Sequence, residues 1–166
     1  GCPDAKAESP TVARGWQCAL TVPRELSMRD GKLCQQPAHE IERMRGDCVR
    51  ATGGETVEEP GRLFDLVVSC EGAKMVELEI RKGVFVRYTD GMLTLDMGDE
   101  GYGRNQRSIE LSELRDLRVL SDTTMVEIFA NGGEAALTSR TYSSAVPAMA
   151  LHAEGAASMD FYRLAH

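Results

Sequence analysis

MVELEIRKGVFVRYTDGMLTLDM, residues 75–97, sets the period on which the rest of the chain is built. In Met75 to Arg81 the apolar Val76, Leu78 and Ile80 fall on one side of an extended backbone and Glu77, Glu79 and Arg81 on the other. Successive strand side chains point to opposite faces, so this is a strand with one buried and one wet face. Leu93, Leu95 and Met97 alternate in the same way against Thr94 and Asp96. Lys82-Gly83 and Asp90-Gly91 separate the runs, and both pairs tolerate the positive φ of tight hairpin turns.

Working outward, Phe64, Leu66, Val68 and Cys70 alternate against Asp65 and Ser69, and Ile109 and Leu111 against Glu110 and Ser112. Asp30-Gly31 and Asn131-Gly132-Gly133 add further turns. About a dozen short strands result, too many for one flat sheet and right for two packed face to face. The expected fold is an all-β, two-sheet antiparallel sandwich of the jelly-roll or concanavalin-like kind. One window, Pro37 to Met44, reads as a helix or an irregular connection. Gly46 to Gly61, rich in Gly, Glu and Thr, is predicted to be a surface loop. The opening residues GCPDAKAESPTV carry prolines, charges and small side chains, so residues 1–14 read as a linker and 15–166 as the sandwich.

The 166 residues are enough for one core, with 42% hydrophobic side chains. The charge is −7, from 26 acidic against 19 basic residues, which repels nucleic acid and anionic membranes. Runs such as Leu66 to Val68 are far short of the roughly 20 residues that span a bilayer. Gly1 to Pro10 has neither the basic start nor the apolar stretch of a signal peptide. Cys2, Cys18, Cys34, Cys48 and Cys70 are odd in number and form no CxxC pair, which points to free thiols in a reducing cytoplasm.

Two segments resemble glycoside hydrolase family 32. GWQCALTVPRELSMRDGKLCQQP, residues 15–37, is similar to the junction between that family's catalytic propeller and its C-terminal sandwich. LRVLSDTTMVEIFANGGEAALTSRTY, residues 117–142, resembles a late hairpin of the sandwich and matches without a gap. The resemblance implies a five-bladed propeller as the partner within a longer chain, and an activity on sucrose, sucrose 6-phosphate or fructans. Family catalysis belongs to Asn-Asp-Pro-Asn-Gly, Arg-Asp-Pro and Glu-Cys motifs in the propeller, and none occurs here. Cys70-Glu71 has the order reversed. A retaining glycosidase needs two carboxylic groups about 5 Å apart, whereas Glu77, Glu79 and Glu110 alternate with core residues and point to water. No catalytic, substrate-binding, metal or cofactor residue is assigned; His39, His152 and His166 lack ligand spacing.

Six residues stand out as candidates for an interdomain or dimer interface. Trp16, the single tryptophan, reads as an anchor of the first strand or of the propeller junction, or else as a sugar-stacking platform. Arg24 and Glu25 form an ion pair across the seam or an ordinary solvated one. The resemblance places Asp122 and Glu127 in the family's most recognisable sandwich motif. Phe129 shares a face with Met125 and Glu127, opposite Val126, Ile128 and Ala130. It therefore either looks outward under a cover supplied by another domain or is turned inward by a bulge. An independent sugar-binding module is the alternative function. A homodimer through residues 11–22 or through the Phe129 face is a further expectation.

Overall fold

The computed structural model describes residues 9–165. Among them, fourteen strands fall into a hairpin and two six-stranded antiparallel sheets, as the alternation predicts. The hairpin is β1 (Arg24–Arg29) and β2 (Lys32–Pro37). The chain then forms β3 (Arg45–Thr52), β4 (Thr56–Glu58), β5 (Phe64–Ser69), β6 (Met75–Arg81), β7 (Val84–Thr89), β8 (Met92–Asp96) and β9 (Gln106–Glu110). It continues with β10 (Asp116–Asp122), β11 (Met125–Ala130), β12 (Ala135–Arg140), β13 (Ala148–Glu154) and β14 (Ser158–Leu164). The first sheet has the order β12-β11-β10-β5-β14-β3, and the second β4-β13-β6-β7-β8-β9.

The inner faces supply the core. Phe64, Leu66, Val119, Ile128, Met159 and Phe161 of the first sheet are buried against Val76, Leu78, Val86, Leu93, Leu95 and Leu151 of the second. Phe64 and Phe161 meet with centroids 5.4 Å apart in a tilted pair. The β7–β8 turn places Asp90 and Gly91 at φ 50° and 73°, the left-handed pair that matches strand twist in a two-residue hairpin.

Two local expectations need correcting. Gly46 to Gly61 is not a loop, since it contains most of β3 and all of β4. β3 is an edge strand whose residues 46–50 are all exposed, so the sequence has no alternation to show there. Asp65 is not on a wet face either; it is fully buried. The Pro37–Met44 window is a 3-10 helix over His39–Met44. Residues 1–8, Cys2 and His166 lie outside the described residues, while Cys18, Cys34, Cys48 and Cys70 are free thiols.

Candidate functional site: the covered face of the first sheet

Every residue of β11 is buried, although only Val126, Ile128 and Ala130 face the core. A strand buried on both faces needs a second cover. The register of β11 against β10 and β12 is unbroken from Met125 to Ala130, so no bulge turns Phe129 inward. Phe129 looks outward beside Glu127, and the cover is this chain's own N-terminal segment and β1–β2 hairpin rather than a separate domain.

Glu127 fastens that cover. One carboxylate oxygen accepts the Val22 backbone N–H at 2.8 Å, and the other accepts Arg24 Nη2 at 2.6 Å. Arg24 also donates to Thr138 Oγ1 at 2.8 Å and Gln35 Oε1 at 2.9 Å, and its guanidinium carbon lies 5.1 Å from the Phe129 ring centroid. Arg24 and Glu25, adjacent on a strand, therefore do not pair with each other. Glu25 turns to His39, with Nδ1 to Oε1 at 2.7 Å.

The far end of the hairpin sits on the β11–β12 connection. Gln36 Nε2 and Arg29 both donate to the Gly132 carbonyl, the former at 2.7 Å, and Lys32 meets Glu134 at 3.1 Å. Hydrogen bonds from Lys32 and then Arg115 hold the Glu134 carboxyl below its ordinary range, against the desolvation that raises it. At Gly133, φ is 91° and an added Cβ would lie on the Gln35 carbonyl, 2.7 Å from its carbon. Asn131 is buried and clasps the preceding loop, its Oδ1 accepting Arg115 N–H and its Nδ2 donating to Glu113 O, each at 2.9 Å. The turn motif legible in sequence is thus the seat of the hairpin.

Beyond Arg24 the hairpin is apolar and open. Met28 stands directly opposite Leu33, and Leu26 is two residues along on the same face. All three are more than half exposed, at 66%, 53% and 64%. Leu20 is almost wholly exposed.

Two hollows flank the covered area. An apolar cavity of about 230 Å³ is lined by Leu20, Val22, Ile41, Met44, Leu120, Met125 and Leu164, with exposed Asp122 at its rim. Asp122 itself accepts the Thr123 N–H and closes its own turn. A polar groove of about 340 Å³ includes Gln36, Glu42, Arg45, Asp116, Arg118, Asp160 and Tyr162. Beneath it Asp65 receives Arg118 through Nε and Nη2, at 3.0 and 2.7 Å, and Arg45 Nε at 2.7 Å. Two guanidinium partners for one carboxylate make this burial affordable.

Trp16 is on no strand and is 43% exposed, so it is not a core anchor. Its ring lies 5.1 Å from the Arg140 guanidinium, which lies equally far from Tyr142. Tyr142 in turn meets Tyr102 edge to face at 5.4 Å. Aromatic residues dispersed in sequence are thus gathered by the fold, and no sequence spacing reveals it. The same holds for Glu25, His39 and Glu40, whose ligand atoms lie within 4.8 Å of one another. All three are exposed, and His39 Nδ1 is already engaged by Glu25.

Glu25, Glu55, Glu134 and Asp160 are each displaced downward, chiefly by hydrogen bonds. Burial pushes the Cys70 thiol up to about 12, which removes it as a nucleophile.

Comparison with known proteins agrees with this picture. The model for the C-terminal region of glycosyl hydrolases family 32 matches residues 73–164. A raffinose invertase of Escherichia coli is 37% identical over 154 residues, covering 82% of this chain and 32% of that protein. A sucrose-6-phosphate hydrolase of Salmonella typhimurium is 30% identical, covering 80% and 28%. The solved structure of sucrose-6-phosphate hydrolase from Lactobacillus gasseri superposes with TM-score 0.83 at 20% identity, over 99% of this chain and 37% of that one. The chain thus spans about a third of the length of the relatives it matches. With the family's C-terminal model matched over most of both sheets, the chain belongs to glycosyl hydrolase family 32 as its C-terminal β-sandwich.

Proposed function

We propose that this sandwich is the non-catalytic C-terminal module of a β-fructofuranosidase acting on sucrose or sucrose 6-phosphate, and that it supports the five-bladed propeller carrying the catalytic carboxylates. The observation that carries the reading is the partial coverage: the matched relatives bear the names raffinose invertase and sucrose-6-phosphate hydrolase, and the match takes in only about a third of each. The absence of the propeller motifs from the sequence supports it. So does the apolar stripe of Leu26, Met28 and Leu33, which offers the propeller a surface.

In this reading Arg24, Glu127 and Phe129 act from beneath, fixing the hairpin that presents the stripe. The exposed Trp16, Glu25 and Asp122 are further candidates for the interdomain contact. The free thiols suit a reducing compartment such as the cytoplasm.

The test is an assay of fructose release from sucrose and from sucrose 6-phosphate by this chain alone. No turnover above the buffer blank is expected, and turnover that survives repurification overturns the proposal. Oxidative footprinting of Leu26, Met28 and Leu33 then checks the surface. Protection is expected once the propeller is present in the same chain.

A further inference from the structure

Arg140 closes β12, directly opposite Met125, and the functional reading gives it no task. Its guanidinium is gripped by aromatic faces, with Trp16 and Tyr142 each at 5.1 Å. Tyr142 is itself fixed, its hydroxyl bonded to Ser9 Oγ at 2.5 Å and its ring against Tyr102. Yet Nε and Nη2 of Arg140 are sealed from water and meet no acceptor. These two nitrogens form the side-on edge of the guanidinium. On Arg50 that edge holds Asp160 at 2.7 and 3.0 Å, and on Arg118 it holds Asp65 at 3.0 and 2.7 Å. No carboxylate pairs with Arg140 among the described residues.

We propose that the Nε/Nη2 edge of Arg140, framed by Trp16 and Tyr142, is a carboxylate-binding site. Buried donors without partners are rare in native proteins. A planar carboxylate meets the side-on fork with two parallel bonds. A tetrahedral phosphate has further anionic oxygens, which the negative faces of the two rings repel.

Trp16 is the only tryptophan, so its emission reports on the site directly. The full chain is titrated with sodium acetate against sodium chloride at equal ionic strength, following Trp16 fluorescence and the arginine Nε–H resonances. The expected result is a saturable change in emission, with one Nε–H signal moving downfield. Arg140→Gln abolishes both, and Arg140→Lys, which keeps the charge but lacks the fork, binds at least about ten-fold more weakly. A response shared by Arg140→Gln, tighter binding of phosphate than of acetate, or no saturable response in wild type overturns it.

Discussion

Arg24 and Glu127 are 103 residues apart in sequence and 2.6 Å apart in the fold. Because the second oxygen of Glu127 holds Val22 N–H, one carboxylate ties both the leading segment and the hairpin to β11. Removing half of a buried ion pair strands the other half. Glu127→Gln is expected to cost about 3 kcal/mol of unfolding free energy in urea titration. Amide exchange at Val22 should accelerate with it. The double change Arg24→Met with Glu127→Met should recover most of the loss, because it strands no charge.

Gly133→Ala tests the hairpin seat. The new Cβ meets the Gln35 backbone at a residue whose φ is already left-handed, so neither side can yield cheaply. A loss of at least about 2 kcal/mol is expected, together with faster amide exchange through Lys32–Pro37. An unchanged melting temperature removes Gly133 from this role.

Asp65→Asn should be costlier than any exposed carboxylate change. Asp65 is fully buried and accepts three bonds from two arginines, which the amide cannot accept with both of its ends. A destabilisation of about 3 kcal/mol is expected by chemical denaturation. Asp160→Asn removes an exposed pair with Arg50 and should cost less than about 1 kcal/mol.

The Glu25 and His39 pair is sensitive to pH in a defined sense. The hydrogen bond to Glu25 raises His39 above its usual value of 6.5, and the same bond lowers Glu25 below 4.5. A raised histidine lends stability that is complete below its unfolded pKa and is lost as pH rises through the folded one; a lowered carboxyl lends stability that is lost as pH falls through its folded pKa. The contact joining β1 to the 3-10 helix is thus tightest between the two folded values. Titration of the His39 ring by NMR should give a pKa above 6.5 that falls in Glu25→Gln.

Much of the fold was legible because it depends on local alternation. Val76, Leu78 and Ile80 announce a core face, and Asp90-Gly91 a hairpin, from a few adjacent residues. β3 is not legible, because an exposed edge strand need not alternate. The covered face was half legible: the sequence placed Phe129 beside Glu127 on the outward side, but could not tell which segment covers them. That depends on Arg24 meeting Glu127 and on Gln36 meeting Gly132, contacts across some hundred residues that leave no periodic trace. The union of Trp16, Arg140 and Tyr142 was hidden for the same reason.

The position of β14 has a consequence for synthesis. Although it comes late in the chain, β14 lies inside the first sheet, paired to β5 on one side and β3 on the other. A chain emerging from the ribosome can close β6 through β9 as successive hairpins. Its first sheet, however, remains split until residues 158–164 arrive to bridge it. Loss of that last strand would do more than shorten an edge. It would leave β3 without a neighbour and open the core beneath Phe64 and Leu66, so truncated products should be readily recognised and degraded.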